Sequence, residues 1–196
     1  GDGREEGEET GEGEEAVAES VTGMGGASAR AWCDIVGRAR GVPAYRLMGT
    51  KHVEKVHVGW WSPPVEPAEC AAMAEEGARL GYKTHKLKAR PWNIVETVEL
   101  MTKAAGPDLG IIVDPNFSFE DLATSLRLTR ELEPYNIQAF EDPFRYLPGW
   151  HQYHHFRQHS IIPLAPHLGD PKLMMSAIRA DAADMFTMGG NVETVQ

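Results

Sequence analysis

Apolar residues recur along the chain in short runs, and several of these runs end on a charged side chain. In the run IIVDPN at 111–116, β-branched residues lead directly to Asp114. Alternate residues of a strand share a face, so Ile112, Asp114 and Asn116 should point to the same side. A carboxylate at the end of a buried strand is costly unless it is paired, and a lysine or a metal ion could pair with it.

Three further segments resemble this one: THKLK at 84–88, IQAFEDP at 137–143 and IIPLAPH at 161–167. The first places Lys86 and Lys88 on one strand face, and the other two end their apolar runs at Glu141 and His167. The intervals are 26 residues from Lys88 to Asp114, 27 from there to Glu141 and 26 from there to His167. Each interval fits one strand–helix unit, and polar groups at the carboxyl ends of successive strands are typical of a parallel (β/α) barrel.

Helical patterns fill the intervals, and strands and helices therefore alternate. The predicted helices lie at 28–39, 67–80, 93–105, from a cap at Ser118 onward, at 148–159 and at 172–180, and further strands are predicted at 55–62 and 184–188. Asn93 with Glu96 has the spacing of a capping box, and Asp170 before Pro171 is typical of an N-cap. The fold class predicted is α/β: a partial TIM-type (β/α) barrel of about six parallel strands with intervening helices.

Charge divides the chain unevenly. Residues 1–22 contain nine of the 29 acidic residues and one of the 19 basic residues, so they carry −8 of the net charge of −10. The remaining 20 acidic and 18 basic residues leave the body near neutral, without the basic surface that nucleic acid requires. We expect a disordered acidic Gly/Glu-rich tail at 1–28, a lead-in helix and turn at 29–50 and an incomplete barrel at 51–196.

The segments KLK (86–88), VDPN (113–116) and FEDP (140–143) resemble the K-x-K, D-x-N and E-D/E-P motifs of the enolase superfamily, above all of its mandelate racemase/muconate lactonizing enzyme branch. The segment AWCDIVGRARGVPAYRLMG at 31–49 is similar to the helix and turn that lead into that family's barrel. The resemblance covers roughly residues 29–196. A complete (β/α) barrel needs about 250 residues, so we expect this chain to be part of a longer one.

The resemblance implies a site and its chemistry. Lys88 is expected to be the general base with Lys86 beside it, and Asp114 and Glu141 are expected to bind a divalent metal, since carboxylate oxygens suit Mg²⁺. Asn116 resembles a residue that orients a ligand or the substrate, although a turn residue explains it equally well. The site would remove the α-proton of a carboxylate substrate, and the cation would hold the charge of the enediolate that forms.

The sequence departs from the family's pattern at the third metal ligand. The family usually has Asp or Glu there, whereas this chain has His167. An imidazole favours softer metals, so Mn²⁺ or another divalent ion is an alternative to Mg²⁺. Asp170 is a second candidate ligand, although an N-cap explains it better. His167 as an acid/base in a metal-poor site is a further alternative.

Two tryptophans, Trp60 and Trp61, end the first predicted strand. Trp60 is our candidate for a substrate contact, and a cover for the barrel rim is an equal alternative. His85 alternates with the two lysines and is expected to pack toward the helices. Cys33 and Cys70 lie in helical segments, where buried thiols are expected rather than a disulfide.

The function predicted is that of a metal-dependent lyase or isomerase acting on a small carboxylate, with acid-sugar dehydration first and racemisation or cycloisomerisation next. A non-catalytic barrel remnant and a metal-free Schiff-base lyase using Lys86 or Lys88 are the alternatives. The sequence contains neither a signal-peptide pattern nor a run of 18 apolar residues. We therefore expect a cytoplasmic protein without membrane or nucleic-acid partners, and the family resemblance implies a homo-oligomer for the full-length chain.

Overall fold

The computed structural model describes residues 26–49, 51, 53–146 and 149–188. The chain divides into two compact units, of which one contains the N-terminal helix and the other runs from His57 to Met188. In the first unit, α1 (Gly26–Arg40) leads into a 3₁₀ helix (Ala44–Leu47). Ala29, Cys33 and Leu47 are buried together there. Residues 1–25, which include most of the predicted acidic tail, lie outside the described residues.

The second unit alternates strands and helices, as the sequence predicts. Its elements are β1 (Trp60–Ser62), α2 (Pro67–Arg79), β2 (Thr84–Lys88), α3 (Ile94–Ala105), β3 (Gly110–Asp114), α4 (Leu122–Leu132), β4 (Ile137–Glu141), α5 (His151–His159), β5 (Leu164–Ala165), β6 (His167–Leu168), α6 (Pro171–Arg179) and β7 (Thr187–Met188). Gly81 and Gly106 follow α2 and α3 with φ of 92° and 93°, angles that glycine adopts without steric cost.

Strands β1 to β5 form one parallel sheet in which spatial order equals chain order. A doubly wound sheet would reverse its strand order at a switch point, whereas a (β/α) barrel adds each strand beside the previous one. The observed order is therefore that of a partial barrel. Strands β6 and β7 pair in parallel in a separate two-stranded sheet.

The two faces of the sheet differ in chemistry. Leu87, Ile111 and Phe140 point to the helices and are buried in the main apolar core. The alternate residues Lys86 and Asp114 point to the opposite face, which we call the inner face. Since side chains alternate along a strand, burying the apolar set against the helices places the charged set on the inner face.

The structure corrects four of the predicted boundaries, one of which is that of the last predicted strand: it covers Thr187–Met188 and not 184–188. The first strand covers only Trp60–Ser62, and Val56 and Val58 are 79% and 68% exposed, because no neighbouring strand pairs with that segment in the described chain. The fifth predicted strand, 161–167, is divided between β5 and β6. Helix α5 begins at His151, and Pro148, where it was expected to begin, lies outside the described residues.

The helix caps also differ from expectation. Asn93 precedes α3 but makes no side-chain cap hydrogen bond. Helix α4 is capped by Asp121, whose carboxylate accepts the Thr124 N–H at 2.7 Å, and not by Ser118. Asp170 does cap α6, as predicted, through the Lys172 N–H at 2.8 Å.

In the described part of the chain, no helix is both long enough and apolar enough to cross a membrane.

Candidate active site

Two lysines and two carboxylates meet on the inner face, at the carboxyl ends of three adjacent strands. Lys86 Nζ on β2 lies 2.7 Å from both carboxylate oxygens of Glu141 on β4 and 3.1 Å from Asp114 Oδ2 on β3. Lys88 Nζ lies 2.5 Å from the same Asp114 oxygen. The register explains this grouping, because Lys88 is paired directly with Asp114 across β2 and β3. We call these four residues the lysine–carboxylate cluster.

The carboxylates of the cluster are buried. The side chains of Asp114 and Glu141 are 0% and 3% exposed, whereas those of Lys86 and Lys88 are 29% and 24% exposed. Burying a carboxylate without a partner is very unfavourable, so each must be compensated. Two ammonium groups balance two carboxylates here, and the lysines form the side of the cluster that faces solvent.

The pKa values reflect this pairing. Burial acts to raise the pKa of Asp114, but the hydrogen bonds and charges of Lys88 and Lys86 outweigh it and hold that pKa below its ordinary value. Burial acts to lower the pKa of Lys86, and the hydrogen bonds and charges of Glu141 and Asp114 outweigh it and raise that pKa. Asp114 is therefore ionised and Lys86 protonated at neutral pH.

Asn116 extends the cluster from the loop after β3. Its side-chain Oδ1 accepts a hydrogen bond from Lys88 Nζ at 2.8 Å, and its backbone N–H donates to Asp114 Oδ1 at 3.0 Å. Its φ of 48° lies in the left-handed region, which asparagine tolerates better than most residues. Asn116 thus forms the turn, which was one of its two expected roles, and its side chain also holds Lys88, whereas the orientation of a ligand or the substrate stays a prediction.

His167 lies near the cluster but does not bond to it. Its Nδ1 is 3.6 Å from Glu141 Oε1, and its side chain is 46% exposed. Thr187 Oγ1, on β7, donates to Glu141 Oε2 at 2.9 Å. Sequence analysis missed Thr187, and no local signal could have found it, because 46 residues separate it from Glu141.

The structure does not bring Trp60 to the cluster. Trp60 lies on the helix side of β1, where its ring packs against α2 at Gly77 and lies 4.9 Å from the ring of Tyr82. A Cβ at Gly77 would come within 2.7 Å of the Trp60 ring, so this close approach requires glycine. Trp61 is paired with Lys86 and shares its face of the sheet.

A cavity between the loops that follow β1 and β2 shares Lys88 with the cluster. Val65, Cys70, Leu87 and Ile94 line it together with Lys88. Most of these side chains belong to the helix side of β2, opposite the carboxylates. The other three residues of the cluster do not line this cavity.

The residues expected to bind a metal ion are Asp114, Glu141 and His167. Within the described ranges, no three His, Cys, Asp or Glu side chains are placed to hold an ion together. Asp114 and Glu141 are nevertheless two buried carboxylates that share one cation, the Lys86 ammonium, and such oxygen donors suit Mg²⁺. The residues present fit two ligands of a divalent ion, and His167 as the third ligand stays a prediction.

The family model described as Enolase C-terminal domain-like matches residues 68–189, and the chain belongs to this family. A D-xylonate dehydratase from Haloferax volcanii is 31% identical over 56% of this chain and 32% of its own length. The solved N-succinyl Arg/Lys racemase from Bacillus cereus has a TM-score of 0.70 and 25% identity, covering 85% of this chain and 47% of that one.

A dipeptide epimerase from Cytophaga hutchinsonii, solved with Mg and the dipeptide D-Ala-L-Val, has the same fold, with a TM-score of 0.71 at 23% identity over 87% of this chain and 48% of that one. These matches confirm the resemblance to the mandelate racemase/muconate lactonizing enzyme branch. The chain spans about a third of the curated relative and about half of each solved structure.

Proposed function

We propose that this chain is part of a divalent-metal-dependent enzyme that removes the α-proton of a small carboxylate substrate through an enediolate. The observation that carries this proposal is the lysine–carboxylate cluster at the carboxyl ends of β2, β3 and β4. A basic nitrogen and two metal-binding carboxylates within one small region are what such a reaction needs. The relatives named above are a dehydratase, a racemase and an epimerase, which agrees with this reaction class.

Asp114 and Glu141 would hold the metal, with His167 as the third ligand. Mg²⁺ suits the two carboxylates, and Mn²⁺ or another divalent ion is the alternative that the imidazole favours. When bound, the ion stabilises the negative charge of the enediolate. Thr187 donates to one oxygen of Glu141 and so fixes the orientation of that carboxylate.

Lys88 would accept the α-proton at Nζ, and Asn116 and Asp114 position that nitrogen at 2.8 Å and 2.5 Å. Lys86 supplies a fixed positive charge beside it. The raised pKa of Lys86 argues against the metal-free Schiff-base lyase for this residue, since a Schiff base requires a neutral amine.

Acid-sugar dehydration is the reaction that we propose first, because the dehydratase relative is 31% identical over its match. Racemisation or cycloisomerisation is the alternative, favoured by the racemase relative. The substrate would be a small carboxylate, and nucleic acid and membrane are not proposed as partners. A homo-oligomer in the cytoplasm remains our prediction for the full-length protein.

Mg²⁺ binding tests this proposal directly. Calorimetry on the 196-residue chain should detect binding that is lost in Asp114→Asn and in Glu141→Gln. Glu99→Gln is the matched control, because it removes an exposed carboxylate on α3, and it should bind as the wild type does. If the folded wild type binds no Mg²⁺, Mn²⁺ or Zn²⁺, the proposal is wrong and the non-catalytic remnant, which the absence of a third carboxylate ligand motivates, takes its place.

A further inference from the structure

Asp142, the residue after the proposed ligand Glu141, joins three loops of the site. Its side-chain Oδ1 accepts the backbone N–H of His167 at 3.0 Å, and its backbone carbonyl accepts the N–H of Phe117 at 2.7 Å. The loop after β4 is therefore bonded both to the loop after β3 and to the start of β6.

The conformation of Asp142 is unusual in a way that serves this role. Its φ is 46°, in the left-handed region, and the residue is 4% exposed. A buried carboxylate and a strained backbone angle both cost free energy, so they persist only where the surroundings enforce them. Strain of this kind is found preferentially at functional sites.

Asp142 holds the backbone next to two residues that lie beside the cluster, Asn116 and His167. Phe117 directly follows Asn116, whose side chain accepts a hydrogen bond from Lys88. A second backbone bond, from Phe119 N–H to the Pro143 carbonyl at 3.2 Å, reinforces the contact between the two loops. His167 Nδ1 lies 3.6 Å from Glu141 Oε1, and the backbone at His167 is held by the hydrogen bond to Asp142 together with the pairing of β6 with β7.

We propose that Asp142 is a positioning residue that, through its side-chain hydrogen bond to the His167 amide and its left-handed turn, sets where Asn116 and His167 stand relative to Lys88 and Glu141. The metal-binding consequence of this inference rests on the proposed function. The geometric consequence does not, because the hydrogen bonds of Asp142 join residues of this chain to one another.

Three variants separate the side chain from the turn. Asp142→Asn keeps an Oδ1 acceptor and a residue type that tolerates positive φ. Asp142→Gly keeps the backbone angle and removes the acceptor, and Asp142→Ala removes the acceptor and adds strain to the turn. Each variant is examined as the full chain by circular dichroism, by ¹H–¹⁵N NMR of the His167 amide and the Asn116 side-chain amide, and by calorimetric titration with Mg²⁺ alone.

We expect Asp142→Asn to retain the His167 and Asn116 signals and the Mg²⁺ affinity of the wild type. In Asp142→Gly, which keeps the turn and the backbone carbonyl that accepts the Phe117 N–H, the His167 signal should move while the Asn116 signals stay. The affinity should fall about 10- to 100-fold, as for other residues that orient metal ligands. In Asp142→Ala, which strains the turn, the Asn116 signals should move as well. Loss of affinity in Asp142→Asn, or an unchanged His167 signal and affinity in a folded Asp142→Gly, overturns the inference. If only Asp142→Ala is affected, the turn alone matters, and the side-chain role is wrong.

The inference and the proposed function can fail separately. If the wild type binds no Mg²⁺, the proposed function fails, and the NMR signals alone decide the role of Asp142. A displaced His167 signal in Asp142→Gly and displaced Asn116 signals in Asp142→Ala, with both at their wild-type positions in Asp142→Asn, then support positioning, and unchanged signals in either variant overturn it. If Asp142→Gly does not fold, Asp142→Asn still decides the outcome, because a variant that keeps the acceptor must keep the wild-type His167 and Asn116 signals.

Discussion

Lys86 occupies the centre of the cluster, between two buried carboxylates that come from different strands. Lys88 contacts only one of them and also bonds to Asn116. The two lysines are two residues apart on one strand face, yet they differ in which buried carboxylate would lose its lysine partner without them. Without Lys86, Glu141 has no lysine partner, whereas without Lys88, Asp114 keeps the Lys86 ammonium at 3.1 Å.

Lys86→Met should therefore destabilise the fold more than its control, Lys88→Met. Leaving a buried carboxylate unpaired costs about 3 kcal/mol. Because the lysine side chain is partly exposed and solvent screens the pair, this value is an upper limit for the loss of stability. Urea unfolding monitored by circular dichroism measures the difference. Equal midpoints for the two variants would contradict the central position of Lys86.

His85 lies on the other face of β2, fully buried, with Nε2 2.9 Å from Ser62 Oγ and Nδ1 without a hydrogen-bond partner. Burial lowers its pKa from 6.5 to about 4. The unfolded chain therefore binds a proton on this residue at a higher pH than the folded chain does. Between about pH 6.5 and pH 4 the folded state should lose stability as the pH falls, by about 3 kcal/mol when the pKa of His85 is reached.

Replacing His85 by glutamine tests this linkage, because an amide can still bond to Ser62 but does not titrate. The free energy of unfolding should depend less steeply on pH between 4 and 6.5 in His85→Gln than in the wild type. His57→Gln, at an exposed position, is the matched control and should leave the slope unchanged. Parallel slopes for all three proteins would show that His85 does not contribute.

At the scale of elements, the central strands β2, β3 and β4 follow the sequence closely, whereas the starts of α4 and α5 do not. Strands β2, β3 and β4 end at or next to the charged residues that mark them, because alternation leaves one face apolar. Capping residues are ambiguous, since Asn, Ser and Asp before a helix are all plausible caps. Ser118, Glu120 and Asp121 lie within four positions, and the positive φ of Glu120 puts Asp121 at the start of α4.

Asp121→Ala should lower the free energy of unfolding by about 1 kcal/mol, because it removes the hydrogen bond to the Thr124 N–H. Asn93→Ala is the control at the start of α3, where the side chain makes no cap bond, and it should change stability by a few tenths of a kcal/mol. Thermal and urea unfolding measure both. A larger loss for Asn93→Ala would mean that its side chain caps α3 in solution.

For the whole molecule, the order of strands sets which part of the sheet is best protected. Strand β3 is paired along its length with β2 and also pairs with β4, whereas β1 and β5 each have one neighbour in this sheet. Among the described residues, strands β6 and β7 pair only with each other. Hydrogen bonds at sheet edges open more readily than those in the centre.

Amide hydrogen exchange should accordingly be slowest at 110–114 and the neighbouring residues of β2 and β4, and fastest among the strands in β1, β6 and β7. Hydrogen exchange followed by mass spectrometry on the 196-residue chain measures these differences in protection and needs no ligand. Uniform protection across all strands would show that they open as one cooperative unit. Stronger protection in β1 than in β3 would indicate a neighbour for β1 that the described residues do not supply.

The sequence by itself determined the parallel α/β class and the strand ends that carry Lys86, Lys88, Asp114 and Glu141. These follow from local rules, because alternation, helical periodicity and the length of a strand–helix unit all act over short stretches of chain. The family resemblance rests on the same local motifs, and the match over 68–189 confirms it.

Only the tertiary structure decided which groups meet. The pairing of Lys86 with Glu141 spans 55 residues, that of Thr187 with Glu141 spans 46 and that of Asp142 with His167 spans 25. Trp60 faces the helices because Gly77 leaves room for its ring there. Such contacts depend on how strands align and helices pack across the sheet, and no periodicity within one segment encodes them.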